Sequence, residues 1–359
     1  MKHLHTSPMA LALAVGLSAS SASAAVTIDW VTIGDPGNAA QSAANRTHSA
    51  PGGDGYGAVD YEYRIARNET TATDYAKFLN AVASTDTYGL YNTGSLIIRS
   101  GTNGSYNYTV ASGAENMPIT YVSWFDAARF ANWLHNGQPT GVQNASTTED
   151  GAYTLNGAVN GIITKNVGAT VWIPSENEWF KAAYYDPTHI SGAGGYWLHA
   201  NQSNSMPGNT IGVEGAANYG KITIVDPIPP PTSYSSHNYV GIDAEYEIPL
   251  EQSWYYDVLS EVGAYGSGSQ SYYGIDDMAG NVEEWNDAVN GLSRGLRGGS
   301  WSSDTFFSFS SELSSSNRSG SGPSGESSYI GFRLASVPEQ STMVLTVLFG
   351  AGCLCRRKR

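Results

Sequence analysis

The stretch Ile173-Pro174-Ser175-Glu176-Asn177-Glu178-Trp179 carries the reading of the fold. Ser175 followed three residues later by Glu178 has capping-box form: the serine hydroxyl accepts from the third helical N–H while the glutamate reaches back to the serine N–H. Trp179, Ala182 and Ala183 then continue at helical spacing, whereas Thr170 to Ile173 reads as a short extended piece. Moving outward, Ser123-Trp124-Phe125-Asp126 repeats the device, with Trp124, Ala127, Ala128 and Ala131 following until His135-Asn136-Gly137 ends the element. Further upstream, Tyr75, Phe78, Leu79 and Val82 recur at i, i+3, i+4 and i+7, which predicts an amphipathic helix over 71–83. Other β-rich pieces are expected at 61–65, 153–155 and 296–301, between Gly- and Asn-rich turns. Few helices, many short strands and long loops predict an irregular α+β domain. Pro227 to Pro231 is read as a loop insertion, because the composition does not change across it.

The two ends differ from this domain. Lys2 and two histidines precede an apolar run from Met9 to Leu17 and a small-residue stretch containing Ala22-Ser23-Ala24. That pattern predicts a secretory signal over residues 1–24 with cleavage before Ala25. At the other end, 337–359, Val337-Pro338-Glu339-Gln340-Ser341 leads into a nearly uncharged run from Thr342 to Cys355 and then Arg356-Arg357-Lys358-Arg359. A helix over that run covers ~21 Å, a marginal span of a ~30 Å hydrocarbon core. The basic cluster is expected to stay cytoplasmic, leaving the domain outside. The expectation is a secreted protein of the cell envelope or surface, at least transiently anchored in the membrane. An ordinary tail anchor gives the same topology.

The chain has 18 Lys+Arg against 32 Asp+Glu, and five of the basic residues lie in the two ends, so the domain of residues 25–336 is more acidic than the whole. Nucleic acid and anionic lipid are poor partners for such a surface, and cations are suitable ones. The only cysteines are Cys353 and Cys355, in the apolar tail. They allow the domain no disulfide, thiolate metal site or cysteine nucleophile.

Five blocks in order carry a family resemblance: Tyr63-Arg64-Ile65 through Glu69-Thr70-Thr71 to Asn80; Met117-Pro118 to Trp133; Ile173 to Ala183; Tyr273-Gly274 to Trp285; and Arg297-Gly298-Gly299-Ser300-Trp301 closing with Gly331-Phe332-Arg333. Together they resemble the sulfatase-modifying-factor, or formylglycine-generating-enzyme-like, domain. The resemblance implies a compact fold related to C-type lectins, low in regular structure. The oxidase of that family binds copper through two cysteines after the Gly-Gly-Ser-aromatic block. Counted without gaps, those positions fall on Ser303 and Ser308. A neutral hydroxyl is a poor ligand for soft Cu(I), so neither copper nor formylglycine generation is expected. Iron-dependent relatives carry their ligands on a separate helical domain that has no counterpart here. The C-terminal segment resembles a PEP-CTERM sorting tail, which implies an exosortase-type partner, although Gln340 stands where a second proline is usual.

The loop from Asp276 to Trp285 resembles a family calcium loop. The resemblance implies carboxylates from Asp277 and Glu284 and carbonyls from Gly280 and Val282, a donor set that suits a hard cation. Glu283 replaces the motif's usual tryptophan. The alternative is a metal-free turn packed by Trp285. A second calcium site is implied near Asn218 and Tyr219. Gly291-Leu292-Ser293-Arg294-Gly295 matches a nucleophile-elbow pattern, but a glycine-rich strand follows instead of a helix, so the match is read as chance. The seven histidines show no paired-ligand spacing. In ligand-binding relatives the interval matching Ser302 to Ser328 forms the recognition surface, which makes Ser303, Phe306, Phe307, Ser308, Asn317 and Arg318 candidate contacts. The alternative is a surface loop with its phenylalanines turned inward. The leading expectation is a non-catalytic binding or structural module of the envelope, stabilised by calcium, with a surface glycan or protein as ligand. The competing one is an enzyme of unknown reaction in the same cleft, using carboxylates near Asp276 or Glu284.

Overall fold

The computed structural model describes residues 25–50, 52–219, 259–303 and 312–338. The expected signal sequence at 1–24, the segment at 227–231, Phe306, Phe307, Ser308 and the apolar C-terminal run lie outside the described residues. In chain order the elements are β1 (Trp30–Ile33), β2 (Tyr63–Ala66), α1 (Ala72–Val82), β3 (Ile97–Ser100), β4 (Asn107–Val110), α2 (Trp124–His135), β5 (Val171–Trp172) and α3 (Glu176–Tyr184). There follow β6 (Tyr185–Asp186), β7 (Gly195–Tyr196), β8 (Glu283–Asn290), β9 (Ser293–Arg297), β10 (Ser319–Ser321), β11 (Ile330–Gly331) and β12 (Ala335–Ser336).

The three helices begin where their caps place them. Thr71, Ser123 and Ser175 each accept a hydrogen bond from the backbone N–H three residues on, and Asp126 and Glu178 complete the two capping boxes. Each such cap contributes about 1 kcal/mol. Tyr75, Phe78, Leu79 and Val82 of α1 are buried. Phe78 meets Phe130 of α2 edge-on at 5.3 Å, and Phe130 meets Phe332 at 5.6 Å, so the core joins both helices to the last strands of the domain.

Two four-stranded sheets carry this core, in the orders β1-β2-β12-β5 and β10-β9-β8-β11. The first is wholly antiparallel, and β12 lies between β2 and β5, pairing Ala335 with Ile65 and with Trp172. The chain's last described strand is therefore held at the centre of a sheet begun by its first. In the second sheet β11 runs parallel to β8. Buried arginines cross-link these layers. Arg129 pairs with Glu149, Arg297 with Glu176 and Arg333 with Glu284, at 2.6 to 2.8 Å.

Two strand expectations need correction, and one strand was missed. Residues 153–155 give only a single bridge, Tyr153 to Lys165. The strand expected over 296–301 ends at Arg297, because Gly298 and Gly299 adopt φ of +102° and +70° and turn the chain. Strand β8, which carries two glutamates, an aspartate and two asparagines, lacks a period-two pattern and was not legible. Ser293 opens β9 just after the β8–β9 hairpin turn, so no strand-to-helix elbow exists there. Among the described residues no helix is long and apolar enough to cross a membrane.

Candidate functional site

The N-terminus of α3 organises one wall. Its capping box leaves Glu176 at the first helical position, where both carboxylate oxygens receive arginines. Arg297 donates to Oε1 at 3.0 and 2.7 Å, and Arg318 Nε donates to both oxygens at 2.7 and 3.0 Å. Arg297 also donates to the Asn317 carbonyl at 2.6 Å, fixing the chain that presents Arg318. Both guanidinium groups stand over the Tyr56 ring, at 5.1 and 5.5 Å. The approach is close: a Cβ on Gly52 would come within 2.1 Å of the Ser316 carbonyl oxygen. Arg297 is buried, whereas the Arg318 side chain is 29 % exposed. Two cations here share one carboxylate, so the three groups together carry one positive charge.

Of the predicted contacts, Asn317 and Arg318 stand together on this wall, and Phe306, Phe307 and Ser308 lie outside the described residues. Ser303 is a correction. It is buried, its Oγ accepts from the Ser300 N–H at 2.9 Å, and its own N–H donates to the Ser300 carbonyl. This side chain closes a turn instead of facing a ligand.

The acidic loop separates into two halves. Glu284 takes Arg333 Nη2 on Oε1 at 2.6 Å, and Arg333 Nε and Trp179 Nε1 on Oε2 at 2.7 and 2.8 Å. Three of its roughly four lone-pair positions are thus filled, so at most one bond remains for a cation. Asp277 accepts from the Gly263 N–H at 2.6 Å and faces a cavity of about 10 Å³, lined also by Asn201, Tyr265, Ser269 and Asp276. Among the described residues Asn201 Oδ1, Tyr265 OH and Ser269 Oγ have no hydrogen-bond partner, although Tyr265 is only 5 % exposed. Burial pushes the Asp277 carboxyl up to about 6, with Asp276 and Glu284 adding to the rise and Arg333 opposing it. A volume near one water-sized sphere, ringed by unsatisfied oxygens beside a carboxylate, fits a small hard cation. Gly280 is pressed so tightly on Asn218 that a Cβ would lie 2.1 Å from the Asn218 carbonyl oxygen, and Val282 N–H donates to Glu69. Asn218 Nδ2 donates to Asn281 Oδ1, and Tyr219 OH donates to the Pro207 carbonyl, so these two serve as loop ties. Among the described residues no three His, Cys, Asp or Glu side chains are grouped to hold a metal, so an ion here would depend on neutral oxygens.

Two features were not anticipated from the sequence. Burial and the neighbouring Glu312 push Glu283 up to about 7, with Ser319 opposing, which brings a proton-accepting carboxyl next to the Arg318 segment. A glutamate replacing an aromatic residue inside a motif was the available signal. Asp276, by contrast, is tied by Gln270 at 3.0 Å, and its carbonyl is held by Arg333. The fold also brings His48 within electrostatic reach of both His189 and His199. His199 is buried and donates from Nδ1 to the Leu313 carbonyl at 3.2 Å.

Residues 36–337 match the sulfatase-modifying factor enzyme 1-like domain. No curated protein matches the sequence. Among solved structures, the chain is similar to CarF, with 18% identity, a TM-score of 0.47, and coverage of 87% of this chain and 99% of that one. It is also similar to Treponema denticola variable protein 1, with 17% identity, a TM-score of 0.46, and coverage of 86% and 95%. A third is PvdO from Pseudomonas aeruginosa, with 17% identity, a TM-score of 0.41, and coverage of 86% and 94%.

Proposed function

This chain belongs to the sulfatase-modifying factor enzyme 1-like family, and from that premise we propose that it is a non-catalytic, exported envelope protein that binds an anionic or hydroxyl-rich ligand at the Arg318 wall. Arg318 carries the reading: an exposed guanidinium aimed by Glu176 and Tyr56, on a segment clamped by buried Arg297. An oriented guanidinium offers preorganised donors to a carboxylate, sulfate or sugar hydroxyl. The thiol chemistry of the family's oxidase needs two cysteines, and residues 25–336 contain none. Export by residues 1–24, retention by a PEP-CTERM-type tail and handling by exosortase-type machinery belong to the same reading, supported by the composition of the two ends. Calcium belongs to it as well, held at Asp277 with the unpaired oxygens of Asn201, Tyr265 and Ser269 supporting that assignment. When bound, it would stiffen the loop that joins Gly263 to Asp277.

The test is retention of the source cell's surface glycans and proteins by the mature chain and by Arg318→Ala. Saturable capture weakened about tenfold or more in the variant is expected, since a charged hydrogen bond contributes roughly 1.5–3 kcal/mol. Copper-dependent oxidation of a cysteine peptide by the wild type would overturn the reading. The enzymatic alternative is best placed at Glu283, whose raised pKa suits general acid–base work. It gains if Glu283→Gln abolishes turnover of an envelope substrate while leaving capture intact.

A further inference from the structure

The point where the chain leaves the domain is fixed. Ser336 ends β12 between β2 and β5. Beyond it, Val337 N–H donates to the Thr170 carbonyl at 3.1 Å, and the Val337 carbonyl accepts from Arg64 Nε at 2.9 Å. Val337 and Pro338 line an open groove of about 360 Å³ with Tyr61, Lys165, Val167 and Trp172, at the same end of the central sheet. Only residues 338–341 separate Val337 from the apolar run that begins at Thr342. Fully extended, that connection reaches no more than about 18 Å, on a domain about 50 Å across.

A second observation concerns exposure. Among the described residues, the two most exposed large apolar side chains are Val167, fully exposed, and Leu292, at 82 %. Val167 lines the groove. Leu292 lies in the turn of the β8–β9 hairpin, which is fastened to the same region: Arg294 donates to the Ile163 carbonyl, and Asp287 N–H donates to the Pro174 carbonyl at 2.8 Å. Tyr61, 45 % exposed, and Val337, 39 % exposed, line the same groove as Val167. Lys165, 4.0 Å over the Trp172 ring, supplies the cationic and aromatic pairing that suits a headgroup boundary.

We propose that this end of the central sheet is the face the domain lays on the bilayer surface, with Val167 and Leu292 entering the headgroup region. The proposal rests on reading the C-terminal segment as a membrane tail. The short tether confines the exit to the membrane, and the exposed apolar side chains set the tilt. Bilayer headgroups occupy roughly 5–7 Å per leaflet, the layer these two side chains would enter with Val337 held at it. The acidic surface elsewhere keeps the remainder of the domain away from an anionic membrane.

The experiment uses the full chain with Cys353→Ser and Cys355→Ser and one new cysteine at Val167→Cys, Leu292→Cys or Ser267→Cys. The last is an exposed control beyond Gly263, which packs by Asn68 and Asp276 at the opposite end of β2. Each protein is labelled with an environment-sensitive fluorophore and mixed with phosphatidylcholine vesicles, with or without nitroxide-headgroup lipid. Labels at 167 and 292 are expected to lose most of their emission to the nitroxide while the label at 267 keeps it. Equal quenching at all three sites, in a chain that floats with the vesicles, overturns the proposal and leaves the tail reading standing. A chain that does not float with the vesicles overturns the tail reading and the proposal together.

Discussion

Glu284 and Asp277 lie in one loop, yet their surroundings are opposite. Glu284 is enclosed by Arg333 and Trp179, whereas Asp277 takes a backbone N–H and looks into a cavity whose Tyr265, Asn201 and Ser269 oxygens are unsatisfied. The same division recurs across the molecule. Glu176 and Glu149 have arginines, while His199 and His48 are buried or half-buried with no acid bonded to them among the described residues. An acidic chain with few arginines has placed several of them inside, on the carboxylates that join its layers. A buried ionisable group left without a counter-charge is then the place where an added cation or proton changes most.

The largest expected effect tests the paired half. Arg333→Met leaves Glu284 and Glu69 buried without their cation, and removing one partner of such a pair costs about 3–5 kcal/mol. Asp277→Asn, measured without calcium, is expected to cost far less, because no salt bridge is lost. Urea unfolding of both variants compares them directly. Equal losses would erase the distinction between the two carboxylates.

How much of this was legible depended on range. The three helices were, because Ser123 with Asp126, Ser175 with Glu178 and the spacing of Tyr75, Phe78, Leu79 and Val82 are local signals that span a turn or two. The family motifs then led to the fold, and Gly298 and Gly299 could have warned that the strand before them stops. Arg318 was singled out from the sequence as a candidate contact, but its orientation by Glu176 spans 142 residues and has no local signature. Ser303 was misjudged for the same reason: a serine that caps a turn and one that faces a ligand look alike until the turn is seen. The Asp277 cavity depends on Asn201 and Tyr265, which no spacing rule connects to the loop.

The next effect sharpens the unpaired half. Calcium at one hundred times its dissociation constant stabilises a protein with one native-state site by about 2.7 kcal/mol. A melting shift of that size, reversed by chelator, is expected for wild type and expected to be lost in Asp277→Asn and reduced in Ser269→Ala. If Asp277→Asn keeps the shift, the ion sits elsewhere and the unsatisfied oxygens need another explanation.

The smallest effect takes the comparison to the histidine side. Burial lowers the His199 imidazole to about 4, with His48 adding to the fall and the Leu313 carbonyl opposing it. The fold therefore favours neutral His199, while the unfolded chain begins to bind a proton near pH 6.5. That contribution is present in full above pH 6.5 and is lost as the pH falls toward 4, reaching roughly 2 kcal/mol at pH 5. Asp126, Glu283 and Asp287, each pushed up to about 7 by burial, act with the opposite sign, since the folded state takes up their protons first. Only the difference between wild type and His199→Gln isolates the histidine. Between pH 8 and pH 5 the wild type should lose about 2 kcal/mol relative to the variant in urea unfolding. Parallel curves would mean that His199 finds a counter-charge in the folded protein, and the second half of the comparison would then reduce to Asp277 alone.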